Sequence, residues 1–346
     1  MPKLSPSQTI KLAQKVYGVQ DERVKELEFI FQQTQQDIIN QITYFISQDY
    51  NWQTKAPKSE RDKLMTQLIR MLDNSDDDDR SLIQTAFKGQ KSKSRGDLLL
   101  ANITISLVGL GLMRKKHFVD SISYIPKVIN APNYQASIKI VDKQPDNRSE
   151  EEIKTLPSAE IDQTLKQMAH NAVIDRDFLE DNYATINKQT IQTINKVRVV
   201  AVKAARSTEP QLNFQKEIAL ILTGGNKKTN GQMGRAAGMI RTATSQAINR
   251  QKQHDYSNRK VKKYRFLSLE GKRLPGQKSI TNTCDFCAAL DGQIFNLEDA
   301  QEGVNYPPIH LNCQCDTEEV VEERYVTGQI DVSDELNKLE HEVHGD

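Results

Sequence analysis

With 346 residues, the chain is long enough for two or three domains, each able to bury a sizeable core. A formal net charge of +1 excludes a uniformly polyanionic or polycationic chain, and 27% charged residues with a mean hydropathy of −0.63 fit a water-soluble protein. Aromatic residues make up only 6%, which favours helices over a β-rich core.

Met1-Pro2-Lys3-Leu4 leads directly into polar sequence, without the apolar stretch of a secretory signal. Ser5-Pro6-Ser7-Gln8 has the form of a helix start, a capping box with proline at the first helical position. Val24, Leu27, Phe31, Ile38, Ile42 and Phe45 then recur at near-heptad spacing, the stripe of a bundle helix. Asp76 to Asp79 places four carboxylates in a row without the glycine turn of a calcium loop, so it reads as a solvated loop or a helix N-terminus. Leu98 to Met113 is the longest uncharged stretch. At 16 residues it falls short of the roughly 20 that cross a bilayer, and it reads as a buried helix.

Between Phe118 and Leu156 the helical period fades. Pro126, Pro132 and Pro145 interrupt it, Tyr134 to Val141 alternates weakly like a short strand, and Asn147 to Glu151 reads as a polar linker. Helices resume at Pro157-Ser158, with one stripe at Ile161, Leu165, Met168 and Ala172 and another at Ile191, Ile194, Val197 and Ala201. Leu212 to Leu222 reads as a short helix stopped by Gly224-Gly225, and Met233 to Tyr256 as a further helix. From Val261 to Leu269 the period changes to the alternation of a strand. Asp291-Gly292 precedes a second short strand at Ile294-Phe295, and Val320-Val321 reads as the start of a last one. Beyond Gly328 the sequence is polar and acidic and reads as a flexible tail.

All four cysteines lie between positions 284 and 315, arranged as Cys284-Asp285-Phe286-Cys287 and His310-Leu311-Asn312-Cys313-Gln314-Cys315. Two residues between thiols allow a turn that presents both to one metal, and thiols two apart in an extended segment project to one side. Four soft ligands suit Zn²⁺, and His310 is a fifth candidate for a site with room for four. Structural zinc is the favoured use. Two disulfides or free thiols, and a catalytic metal, are the alternatives.

These residues carry a resemblance. Arg241-Thr242, Cys284 and Cys287, Leu290-Asp291-Gly292, Phe295, Pro307-Pro308, and His310 with Cys313 and Cys315 stand in the order of the phage head-morphogenesis domain of minor capsid proteins, the phage Mu F-like family. The similarity covers about residues 165–320. It differs from the family in Ala243 where a glutamate is frequent, in Tyr264 or Phe266 where a tryptophan is usual, and in Leu311 where a proline follows the histidine. The resemblance implies a minor head protein of a tailed bacteriophage, present in the virion near the portal and in the host cytoplasm during assembly. Its implied partners are the portal protein and the major capsid or scaffold protein, and some relatives bind DNA.

Charge adds a reading of its own. Lys227 to Thr283 holds fourteen Lys or Arg against Asp255 and Glu270, a net of +12 in a chain whose total is +1. Such a block is the footprint of a polyanion partner, here double-stranded DNA bound without sequence preference. The candidate contacts are Lys227, Lys228, Arg235, Arg241, Arg259, Lys260, Lys262, Lys263, Arg265, Lys272 and Arg273. The competing reading is an ordinary solvated face.

The rival function class is an HNH-like zinc nuclease or another DNA-processing enzyme. It would need a general-base histidine and a metal-binding partner on a following helix, and of six histidines only His310 lies near the knot in sequence. Zincin, phosphate-loop, nucleophile-elbow and dinucleotide patterns do not occur.

The expected architecture is therefore mainly α with a small α+β C-terminal module closed by a zinc knot. An N-terminal helical domain spans 1–120 and a linker 121–156. A head-morphogenesis domain spans 157–325, its zinc module at 257–325, and a tail spans 326–346. No enzyme activity and no membrane contact are expected.

Overall fold

The apolar stripe of the N-terminal segment folds as α1 (Pro6–Ser47), and Val24, Leu27, Phe31, Ile38, Ile42 and Phe45 are all buried along it. The computed structural model describes residues 6–129, 176–207, 213–225, 231–268 and 284–320. After α1 come α2 (Lys58–Asp73), α3 (Asp77–Phe87) and α4 (Arg95–Ile129). Next are α5 (Arg176–Arg206), α6 (Phe214–Leu222) and α7 (Gln232–Asn258). A small segment follows: β1 (Lys263–Leu267), the one-turn-plus helix α8 (Asp285–Leu290), β2 (Ile294–Asn296) and β3 (Asp316–Val320).

Helix α4 occupies the centre, packed against α1, α5 and α7. By length and apolarity alone its segment Arg95–Ser123 could cross a membrane. Here its apolar residues, among them Ile103, Leu107, Val108 and Leu110, fill the bundle core, as the uncharged stretch predicts. Two of its polar residues are tied to neighbours: Gln41 donates to Ser106 Oγ at 3.1 Å, and the Arg198 guanidinium donates to Thr104 Oγ1 at 2.8 Å and to Gln90 Oε1 at 2.5 Å. One apolar cluster runs from Val16 on α1 through α4 and α5 to Ile248 on α7, so packing crosses the 121–156 segment that divides the sequence. Helix α4 itself continues to Ile129.

The acidic run is a helix N-terminus. Asp76 caps α3 by accepting the Asp79 N–H at 2.8 Å, and negative charge there is favourable against the helix dipole. The run also ties elements together, because buried Lys115 of α4 pairs with Asp78 and Asp79 while Asn187 of α5 donates to Asp78 Oδ1 at 3.2 Å. Gly224 and Gly225, at φ +83° and +59°, end α6 by turning their N–H groups back to the Ala219 carbonyl.

Alternation in β1 places Tyr264 and Phe266 fully inside. The sheet is antiparallel in the order β2-β1-β3, with Tyr264 opposite both Phe295 and Glu319. The last strand departs from the sequence expectation: it begins at Asp316, directly after Cys315 and four residues before Val320. Its charged residues hide the strand from a hydropathy reading, yet Asp316 and Glu318 are buried because Lys252 and Arg265 pair with them at 2.5 and 2.6 Å. The weak strand at 134–141, the helix stripe at 161–172, Leu212 and the tail lie outside the described residues.

Two glycines of α4 make opposite predictions. A Cβ on Gly111 would sit 2.8 Å from Thr190 Oγ1 and Cγ2, whereas one on Gly109 would meet nothing within 4 Å. Gly→Ala in a helix ordinarily gains roughly 1 kcal/mol. Gly109→Ala is therefore expected to raise the urea midpoint, and Gly111→Ala to lower it, since overpacking costs roughly 1–3 kcal/mol of stability.

Candidate metal centre

Cys284 is the N-cap of α8, and its Sγ accepts the Cys287 N–H at 3.4 Å. This is the physical content of the C-x-x-C spacing: the cap residue and the third helical residue face one another across a single turn. Cys287 is thereby turned inward and buried. Cys313 and Cys315, either side of Gln314 in the run leading into β3, are buried as well. All four are free thiols.

The two cysteine pairs meet. The sulfurs of Cys287, Cys313 and Cys315 lie within 4.8 Å of one another, and so do the ligand atoms of Cys284, Cys287 and His310. Cys287 belongs to both triads. His310 Nε2 is 3.1 Å from Cys284 Sγ and 3.3 Å from Cys287 Sγ, while its Nδ1 lies 2.8 Å from the Leu311 carbonyl. A proton on Nδ1, donated to that carbonyl, leaves the Nε2 lone pair facing the sulfurs. Phe266 of β1 packs on Cys287, Cys313 and Cys315, with Leu290, Phe295 and Ile309 at the margin, so the sulfurs sit in an apolar shell.

Crowding splits the thiols electrically. Hydrogen bonds from Cys287 and then Cys315 pull the Cys313 thiol far below its ordinary range, and the same contacts push Cys287 and Cys315 up. The Cys287 backbone N–H lowers Cys284. Burial pulls His310 down, but the Leu311 carbonyl and the Cys313 and Cys284 sulfurs outweigh it and raise the ring. Without an added positive charge, three neighbouring buried thiols cannot all ionise. A soft divalent cation would remove that conflict, and the donor set of thiolates and an imidazole fits one.

The loop bearing His310 rests on α7. Asn312 adopts φ 65°, a left-handed conformation that asparagine tolerates, and its N–H donates to Thr242 Oγ1 at 3.0 Å. Helix α7 is close enough that a Cβ on Gly238 would be 3.1 Å from Asn312 Oδ1. Three further supports do not stand out in the cysteine motif itself. Tyr17 and Asn249 donate to the Cys315 carbonyl at 3.3 and 3.2 Å, and Lys252 donates to Asp316 Oδ1 at 2.5 Å. Tyr17 lies seven residues before Val24, so it continues the α1 stripe; no local signal ties it to residue 315.

The basic block divides. Arg241 pairs with Asp21 at 3.1 Å, Arg250 with Glu302 at 3.1 Å, Arg259 with Asp255 at 2.8 Å and with Glu319, and Arg265 with Glu318. Arg235, Lys260, Lys262 and Lys263 are exposed and have no ion pair among the described residues. The three lysines cluster at the α7–β1 turn, and Arg235 lies near the other end of α7, about 37 Å away at 1.5 Å per residue. Lys227, Lys228, Lys272 and Arg273 lie outside the described residues.

Residues 158–318 match the protein family described as Phage Mu protein F like protein. No curated protein and no solved structure matches the chain. The matched segment contains α5 to α8, β1, β2, most of β3 and all five donors of the sulfur cluster. Through that segment, a little under half of its length, the chain is similar to the phage Mu F-like family.

Proposed function

We propose that this chain is a minor head protein of a tailed bacteriophage. It acts beside the portal during head assembly, and its C-terminal module is locked by a structural zinc ion. The observation that carries the reading is the convergence, inside the family segment, of five soft donors from two stretches separated by more than twenty residues. Zn²⁺ favours four tetrahedral N or S ligands. The buried Cys287, Cys313 and Cys315 supply three of them. Cys284 or His310 supplies the fourth, and the remaining one of the two hydrogen-bonds from outside. A closed site of this kind leaves no open position for water, so the ion holds the fold and performs no reaction.

Similarity to a head-morphogenesis family implies contact with other head components. The portal protein is the principal partner proposed, with the major capsid or scaffold protein as further contacts. The protein is placed in the virion, with passage through the host cytoplasm during assembly. No membrane enters this role, since α4 spends its apolar surface on the bundle core. DNA contact, sequence-independent and salt-sensitive, is assigned to the exposed lysines of the α7–β1 turn, because most of the arginines nearby already face carboxylates.

The zinc claim is tested on purified protein by metal analysis and thermal melting. One zinc per chain is expected. Because structural zinc binding is folding free energy, Cys287→Ser should lose the metal and unfold the segment after α7. A mutant that melts like the parent would remove the structural site. The assembly claim is tested by fractionating phage particles: the protein should co-purify with capsids at a few copies each and be captured by the portal protein. Its absence from heads would end this reading.

For DNA, a gel shift at low salt should give a complex that weakens as salt rises. The triple substitution Lys260→Ala, Lys262→Ala and Lys263→Ala should weaken it on every sequence alike. A low-salt gel without a complex even at high protein concentration would remove DNA contact and leave the assembly role intact.

A further inference from the structure

A metal knot is only as well placed as the backbone that carries its ligands. Groups that orient a ligand from outside the coordination sphere commonly matter for metal affinity. Around Cys315 these groups are unusual in origin. Its carbonyl accepts two hydrogen bonds, from Tyr17 Oη at 3.3 Å and from Asn249 Nδ2 at 3.2 Å. Both donors are 0% exposed. The Asn249 amide is itself oriented, because its Nδ2 also donates to the Ser245 carbonyl at 2.9 Å. One residue further on, Lys252 Nζ donates to Asp316 Oδ1 at 2.5 Å and to the Thr317 carbonyl at 3.1 Å.

The geometry fixes more than a contact. Two donors on one carbonyl hold the peptide plane that joins Cys315 to Asp316, and so the direction in which the Cys315 sulfur leaves the backbone. The next residue opens β3, whose pairing with β1 carries Phe266 over the sulfurs. Asn249 and Lys252 belong to the family segment, but Tyr17 does not: it lies on α1, 298 residues away in sequence.

We infer that Tyr17 and Asn249 are positioning residues of the sulfur cluster. They act through the Cys315 carbonyl, and metal binding is thereby coupled to the seating of α1 on the C-terminal module. The inference rests on the cluster holding a metal, as proposed above. It adds that the family segment does not complete this site alone, because a hydroxyl from the N-terminal helix is part of the support. Coupling of this kind is reciprocal: whatever factor the α1 contact adds to metal affinity, the metal adds to the α1 contact.

The test uses the full chain and zinc alone as probe. Zinc affinity is measured by competition with a chromogenic chelator for the parent, Tyr17→Phe and Asn249→Ala. Tyr44→Phe, on the exposed face of α1, and Leu64→Ala, in the small core between α2 and α4, serve as controls. Tyr17→Phe removes one hydroxyl and is expected to weaken zinc about tenfold, the low end for a partner outside the coordination sphere. Leu64→Ala should lower thermal stability without moving affinity, which separates positioning from general loosening. In parallel, stripping zinc from the parent should speed amide hydrogen exchange around Tyr17, and the acceleration should shrink in Tyr17→Phe.

Parent-like zinc affinity in folded Tyr17→Phe and Asn249→Ala would overturn the inference while leaving the metal site standing. So would unchanged α1 exchange on chelation, a readout on the parent alone that decides the matter even if the substituted chains fail to fold. A parent that binds no zinc would overturn the metal reading itself, and this inference with it.

Discussion

Two cysteine pairs, far apart along the chain, come together around the Cys287 sulfur, at the centre of the C-terminal module. Among the described residues its sheet has three short strands, the shortest of three residues, and its apolar clusters are a few side chains around Phe266 and Tyr264. Small sheets with so little buried surface are marginal without a cross-link. The connection from β2 to β3 also adds a loop that closes at an entropic cost. A single ion joining residues 284–287 to 310–315 would close that loop at one point.

Helix α7 connects that point to the rest of the molecule. Its first half, from Met233 to Ile248, packs into the core shared with α1, α4 and α5. Its second half turns polar groups toward the module, where Asn249, Lys252 and Tyr256 bind the backbone or side chains of residues 315–317. One helix thus belongs to both cores, and α1 meets the same backbone through Tyr17. The knot is consequently a joint between bundle and module.

The legible parts of the sequence were those in which one residue type repeats at a fixed period or carries distinctive chemistry. The stripe from Val24 to Phe45 identified the core face of α1, Gly224-Gly225 the end of α6, and alternation from Val261 to Leu269 the first strand, which forms over Lys263–Leu267. The C-x-x-C and H-x-x-C-x-C spacings assembled the five donors that the fold brings together. The illegible parts depend on pairing at a distance. Strand β3 looks polar because its acids are neutralised by Lys252 and Arg265, which no local window sees. Much of the +12 block is likewise consumed by Asp21, Glu302, Glu318 and Glu319, so charge counted along the chain overstates charge presented to a partner. Tyr17 could be read as a core residue, but its role at Cys315 exists only in three dimensions.

X-ray absorption at the zinc edge of the full-length protein addresses the convergence of sulfurs most directly. The account predicts one zinc environment of three or four sulfurs at about 2.3 Å, completed where needed by one nitrogen at about 2.0–2.1 Å. A shell of light atoms only, or a protein whose four cysteines are joined as disulfides without metal, would contradict it.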